Sequence, residues 1–260
     1  MHTLFFDFDG TLRVPETNEV SKETIKNLRT LRKEGNLIFI NTGRCFSSLE
    51  GQAKDLPLDG VICGCGTYIR YRGQILYEIQ ATPVQKERVL HALRKCKVDA
   101  FLEGHGGLFI DQTYSDQLKQ VIGFFKRMHV PMLGVDTPSF DFSKMSLYYE
   151  DEKQKAEFED LLKEDFDFIT FPDLKAEAVL KNHSKASGMR MLLKELSLPF
   201  SSSIAFGDSD NDIEMLKEAN CSVLIGDHAP HLKELADIQA PSAKDEGISW
   251  ALRKMNLIKE

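Results

Sequence analysis

No stretch of the 260 residues approaches the roughly 20 apolar positions that a membrane-spanning helix needs, so a membrane location is not expected. Basic clusters are missing as well. The 33 Lys and Arg are scattered among 40 Asp and Glu, giving a formal charge of -7, which argues against a nucleic-acid groove and for small-molecule partners. Cysteine is scarce and odd in number: Cys45, Cys63, Cys65, Cys96 and Cys221 lie mostly in apolar surroundings, which suits reduced thiols better than a disulfide framework. Cys63-Gly64-Cys65 lacks the second pair that a structural zinc site uses, and His228 and His231, three apart, have no evident third ligand. Met1-His2-Thr3 carries neither the basic start nor the cleavage pattern of a secretory signal. The expectation is a cytoplasmic protein, a monomer or weak homodimer, without repeats or low-complexity segments.

What is present begins at once. The apolar run Leu4-Phe5-Phe6 runs into Asp7-Phe8-Asp9-Gly10-Thr11. Such a run reads as a buried parallel strand, and ligand sites of open α/β sheets gather at the carboxyl ends of strands. Side chains alternate along an extended segment, so Asp7 and Asp9 leave the strand on one side while Gly10 lets the chain turn away. Two acids aimed at one point suit a metal, a nucleophile with an acid/base partner, or all of these.

Ser21 is placed to cap a helix carrying Ile25, Leu28 and Leu31 at helical spacing, ended by Gly35 before a strand over 37–40. A strand-helix-strand unit is right-handed and lays its strands parallel, which brings Asn41-Thr42-Gly43-Arg44 beside the residues after Phe6. A strand over 60–63 leads into a hairpin over 68–77 that turns near Arg72-Gly73. From about Ala81 the texture changes. Helices are predicted over 84–97, 115–128 and 152–164, with strands over 100–102, 108–111, 145–149, 166–171 and 176–180, as a module inserted in the first. Its loops hold Gly104-His105-Gly106-Gly107, where His105 is a flexible-loop candidate for substrate contact. After Lys185 the earlier alternation returns: helix 186–196, strand 203–206, helix 211–219, strand 222–225, and a last helix from about Gly247. The fold class is therefore α/β, with a Rossmann-like parallel-sheet core over 1–80 and 180–260 and an inserted α/β cap over 81–179.

A second acidic group, Gly207-Asp208-Ser209-Asp210-Asn211-Asp212, follows the strand ending at Phe206 and opens a helix. Asp210, Asn211 and Asp212 suit a helix N-terminus, where one of them is expected to cap. A hard cation such as Mg²⁺ takes carboxylate oxygens, and Asp7, Asp9 and Asp208 could supply them. Taken together, Asp7-Phe8-Asp9-Gly10-Thr11-Leu12, Thr42-Gly43-Arg44, Lys185 and Gly207-Asp208 through Asn211-Asp212 resemble the four ordered motifs of the haloacid dehalogenase superfamily of phosphatases. The insert of about a hundred residues is similar to that of the Cof-type branch, type IIB, with its large α/β cap. Two departures stand out: Cys65-Gly66-Thr67 replaces the family's Asn-Gly-Ala segment, and Lys185-Ala186 replaces its Lys-Gly pair.

The resemblance implies a Mg²⁺-dependent phosphoric monoester hydrolase acting on small phosphorylated metabolites such as sugar phosphates or phosphorylated cofactors. It implies Asp7 as nucleophile forming an aspartyl phosphate and Asp9 as acid and base. It implies metal held by Asp7, the Asp9 backbone carbonyl and Asp208, with Asp212 on a metal-bound water. Thr42, Gly43, Lys185 and Asn211 would meet the phosphoryl group, Arg44 would more often serve a structural ion pair, and the cap would close as a lid that sets specificity. A phosphomutase of related fold, or a catalytically silent phosphometabolite sensor, are the alternatives.

Overall fold

The protein is described here from a computed structural model, which covers residues 1–127, 129–226 and 230–259, with the backbone alone at 230 and 231. Two compact units emerge. One comprises Met1–Gly43, Asp55–Tyr77 and Ser184–Glu260; the other comprises Arg44–Lys54 and Glu78–His183. The helix Phe46–Ala53 thus goes with the inserted segment, although it precedes the sequence boundary at 81.

The first unit is organised on an eight-stranded sheet. In spatial order its strands are Ile238–Ala240, Cys221–Ile225, Ser203–Gly207, Thr3–Phe6, Leu37–Asn41, Gly60–Cys63, Tyr68–Tyr71 and Gln74–Glu78. The first six run parallel, and Gly60–Cys63 pairs antiparallel with Tyr68–Tyr71. Thr3–Phe6 is buried throughout because it has a neighbour on either side and layers on both faces, which is why it reads as an unbroken apolar run rather than an alternation. Its side chains carry one core between the sheet and the helix Lys185–Glu195: Phe5, Phe39, Ile62, Met189, Leu192 and Ala205 pack together.

The helix expected after Ser21 spans Lys22–Lys33, and the Ser21 hydroxyl accepts from the Thr24 amide at 3.0 Å. Thr24, Leu28 and Leu31 are its buried stripe, with Asn27 beside them; Ile25 is only half-buried. Gly35, at φ +88°, lets the chain reverse into the next strand.

The second unit has a six-stranded sheet in the order Met132–Gly134, Leu108–Ile110, Asp99–Glu103, Lys144–Tyr148, Lys175–Leu180 and Phe166–Phe171. Pairing is antiparallel except between Leu108–Ile110 and Met132–Gly134. Period-2 alternation divides its faces. Ala100 and Leu102 join Met145, Leu147 and Ala178 in a core with Val89 and Phe158 of the helices Pro83–Cys96 and Glu152–Leu162. Phe101 points the other way, to Leu108, Leu118 of the helix Asp116–Arg127, and Cys45. Met128, the expected end of that last helix, lies outside the described residues. All five cysteines are free thiols. No helix among the described residues is long and apolar enough to cross a membrane.

Candidate active site

Register brings the acids together. Phe6 is aligned with Ile40 on one side and Phe206 on the other, so Asp7, Asn41 and Gly207 leave three adjacent parallel strands at the same level. The Asp7 amide still donates to the Phe206 carbonyl at 2.9 Å, which fixes the backbone there. Asp7, Asp208 and Asp212 each offer a carboxylate oxygen, and these oxygens lie within 4.8 Å of one another.

Three like charges this close, with Asp7 and Asp212 almost wholly buried, are held by one cation. Lys185, 1% exposed, is the first residue of the helix Lys185–Glu195, whose N-cap is Ser184. An ammonium is disfavoured at that position by the helix dipole, so its stability must come from acceptors. Its Nζ donates to Asp7 Oδ1 at 2.6 Å, Asp212 Oδ1 at 2.7 Å and Asn211 Oδ1 at 2.8 Å, which uses all three of its protons. Burial alone would pull this ammonium down, but the Asp212 and Asp7 carboxylates hold it well above the ordinary lysine range.

The acids respond the other way. Burial pushes Asp7 well above the usual carboxylate range; Lys185 pulls it down, and the charges of Asp212 and Asp208 push it up again. Asp208 is raised to about 6 by burial and then by Asp212, against the Thr11 hydroxyl, which donates to Asp208 Oδ1 at 2.6 Å. Three carboxylates against one ammonium leave two negative charges unbalanced, the charge of one divalent cation.

The donor set fits such a cation. It is all oxygen, which Mg²⁺ prefers, and no described residue donates a hydrogen bond to Asp7 Oδ2 or Asp208 Oδ2. Asp212 differs. Its Oδ1 takes Lys185, while its Oδ2 takes the Asp208 amide at 3.0 Å and the Ser209 amide at 3.1 Å, so this carboxylate braces the loop that carries Asp208. Ser209 and Asp212 form a capping box over the 3₁₀ turn Asp210–Asp212, and the helix proper begins only at Ile213.

Asp9 stands apart from the cluster as a carboxylate. Its side chain is 39% exposed, and its Oδ1 accepts from Arg13 Nε at 2.7 Å and from Arg13 Nη2. Arg13 belongs to the short hairpin of Arg13–Val14 with Glu19–Val20 and also donates to Asn18. Thr42 is buried at the end of its strand, its amide on the Ile62 carbonyl and its carbonyl on the Cys65 amide. It is not the cap of the following helix; Cys45 holds that place. Asn41 Nδ2 donates to the Lys185 carbonyl at 2.8 Å and ties this strand to the helix that presents the ammonium. Thr11, Asn41 and Ser209 stand inside the quoted motifs with no role legible in the sequence, and Arg13 stands outside them. The only trace of the Arg13 contact is its spacing four residues after Asp9.

Two glycines are demanded by approach. A Cβ on Gly10, at φ +83°, would lie 2.4 Å from Asp208 Oδ2. A Cβ on Gly66, at φ +90°, would lie 2.4 Å from the Ser184 carbonyl and 3.0 Å from the Gly188 amide. Cys65, beside it, is itself left-handed at φ +53°. Gly66→Ala should therefore push away the helix that carries Lys185 and cost roughly 2 kcal/mol or more, combining left-handed strain with backbone displacement. Urea unfolding of the variant measures this, and an unchanged midpoint would show that the helix can shift freely.

In the second unit, His105 lies with its ring centroid 5.5 Å from that of Phe46 and its Nδ1 3.6 Å from Glu78. Arg44 donates to the Ser48 carbonyl at 3.4 Å. The His228 and His231 pair lies outside the described side chains.

Residues 4–252 match the haloacid dehalogenase-like hydrolases. The HMP-PP phosphatase of Klebsiella pneumoniae is 28% identical over 90% of this chain and 88% of its own. Among solved structures, BT1666 from Bacteroides thetaiotaomicron, described among phosphatases of the same superfamily, superposes with a TM-score of 0.87 at 25% identity, covering 99% of this chain and 96% of that one. The subclass IIB sugar phosphatase BT4131 has the same fold, with a TM-score of 0.84 at 24% identity over 99% of this chain and 100% of its own.

Proposed function

The chain belongs to the haloacid dehalogenase-like hydrolases as a phosphatase, and we propose that it hydrolyses small phosphorylated metabolites with Mg²⁺ through an aspartyl phosphate on Asp7. The observation that carries this reading is the charge count at the carboxyl end of the central strand, where Asp7, Asp208 and Asp212 face the single ammonium of Lys185. Mg²⁺ would be held by Asp7 and Asp208, with the Asp9 carbonyl. When bound it would supply the two positive charges that keep Asp7 ionised and that offset a phosphate's own charge.

Asp7 attacks phosphorus with the oxygen that Lys185 does not hold, and the bond from phosphorus to the leaving oxygen breaks. Asp9 gives that oxygen a proton. In the second half, Asp9 takes a proton from water, which attacks the phosphorus of the aspartyl phosphate and returns Asp7 with release of inorganic phosphate. Lys185 lies on Asp7 throughout and steadies the charge as it moves. The Thr42 hydroxyl and the Gly43 amide are assigned to phosphoryl oxygens, and Asn211 to orienting Lys185. Asp212 serves as the brace of Asp208 and Lys185, and through Asp208 it orders the cation. Five free thiols suit a reducing cytoplasm.

Phosphate release from a panel of sugar phosphates, nucleotides, FMN, pyridoxal phosphate and organic diphosphates tests the proposal. Release with Mg²⁺ and almost none with chelator is expected; silence of the folded protein on every compound would remove it. Thermal unfolding supplies a second readout. Because Asp208 is raised from the ordinary aspartate value near 4 to about 6, the folded state binds the extra proton across that window. In chelator, stability should fall as pH rises from 4 to 6. Mg²⁺ should raise Tm clearly at pH 7.5 and little at pH 5, where protons compete for the same oxygens.

A further inference from the structure

At the opposite, amino ends of the strands, the first unit contains a cavity of about 370 Å³ between the end of the helix Lys22–Lys33, the approach to the strand Gly60–Cys63 and the Arg72-Gly73 turn. Its lining includes Arg29, Arg32, Lys33 and Arg72 but only one acid, Asp59. Four cations and one carboxylate leave three positive charges unbalanced, in a protein whose formal charge is -7. The volume lies in the range of small-molecule sites.

Cations at a helix C-terminus ordinarily serve its bare carbonyls. Here that work is done otherwise. The carbonyls of Thr30, Arg32 and Leu31 accept from the amides of Glu34, Gly35 and Asn36, each at 3.1 Å, and Asn36 Nδ2 adds a second bond to Leu31 at 3.0 Å. The acid is likewise committed. Asp59 Oδ2 takes the Ile38 amide at 3.0 Å, and its Oδ1 takes Arg32 Nη2 at 3.0 Å with Arg72 Nε at 3.9 Å. Arg29 and Lys33 form no ion pair among the described residues. Asp59 therefore fixes Arg32 as one wall, and the remaining charge faces the cavity without a counterion from the protein.

We infer that this cavity is a second, non-catalytic site for a compact polyanion carrying two adjacent phosphoryl groups. A diphosphate matches the charge and fits within the volume with room for an attached group, and guanidinium forks suit its oxygens. The site is made by residues that the proposed chemistry does not use, so it stands or falls independently of that reading.

Titration calorimetry with sodium pyrophosphate, in chelator, tests it. Without a divalent cation the catalytic carboxylates repel anions, so binding reports the cavity. Saturable one-to-one binding is expected for the wild type and for Asp7→Asn. It should weaken at least about tenfold in Arg29→Ala/Lys33→Ala, the loss that follows removal of two charge-assisted contacts. Neither side chain makes a hydrogen bond to the rest of the described fold, so that variant should unfold at the wild-type Tm. A parallel titration with ADP identifies the source: tighter binding than pyrophosphate means a nucleotide, equal or weaker binding a free diphosphate. No binding by the wild type would overturn the inference. So would binding untouched by the double substitution, binding lost in Asp7→Asn, or capture of a Glu-rich peptide with none of pyrophosphate.

Discussion

Asp7→Asn should lower phosphate release by roughly four orders of magnitude or more while the protein stays folded. An amide of the same shape cannot form the acyl phosphate, yet its oxygen can still accept from Lys185, which now donates to Asp7 Oδ1 at 2.6 Å. Stability should move in the opposite direction to activity. Burial and the neighbouring charges of Asp212 and Asp208 hold the Asp7 carboxyl well above its usual range, so ionised Asp7 strains the folded state at pH 7. Asn carries no such charge, and in chelator the variant should unfold at or above the wild-type Tm. A large drop in Tm would mean that the Asp7 charge is chiefly structural, and undiminished turnover would remove it as nucleophile.

Lys185→Met has the second-largest expected effect and shows itself in stability first. The side chain is 1% exposed and is the shared partner of Asp7 and Asp212. Removing one member of a buried ionic group typically costs about 3–5 kcal/mol, because the remaining charges stay buried without compensation. Here the carboxylates left behind also repel each other. Their proton affinity rises once the ammonium is gone, so the variant should recover stability as pH falls from 7.5 to 5, and on addition of Mg²⁺ at pH 7.5. Denaturant midpoints at the two pH values, with and without Mg²⁺, measure this. Equal loss at both pH values would point to lost packing rather than lost charge compensation. Turnover should be close to background in every condition.

Much of the first unit was legible because its signals are local. A buried strand ending in acids, a serine cap ahead of a helical stripe, and a glycine at the helix end each leave a pattern that survives without tertiary context. The helix Phe46–Ala53 left none: its N-cap Cys45 makes no side-chain cap bond, Gly51 sits inside it, and only Ser48, Leu49 and Ala53 are buried. The strands Arg13–Val14, Glu19–Val20, Met132–Gly134 and Ile238–Ala240 are too short for alternation to register. In the site, residue types and spacing named residues that lie together, Asp7, Asp208, Asp212, Lys185 and Asn211, but not who holds whom. Sequence did not announce the protein partners of Asp212, whose carboxylate accepts from Lys185 and from the amides of Asp208 and Ser209. The Arg13 hold on Asp9 exists because the chain turns back between them, the Arg13 amide donating to the Phe8 carbonyl at 2.7 Å and the Gly10 amide to the Arg13 carbonyl at 3.1 Å, a contact that no periodicity announces.

The strand that carries Asp7 is paired on one side with Leu37–Asn41, which follows it closely, and on the other with Ser203–Gly207, about 200 residues later. The long segment Glu78–His183, the larger part of the second compact unit, intervenes. During synthesis at ~5–20 residues per second, some 10–40 s separate the emergence of these two strands. Through that interval the nascent Thr3–Phe6 presents a bare edge with three consecutive apolar residues, the kind that invites pairing with other chains. Lys185 and Asp208 arrive together with the strand that covers this edge. A ribosome-bound fragment that stops short of them should be both aggregation-prone and inert, because closing the sheet and assembling the catalytic charges are one folding event.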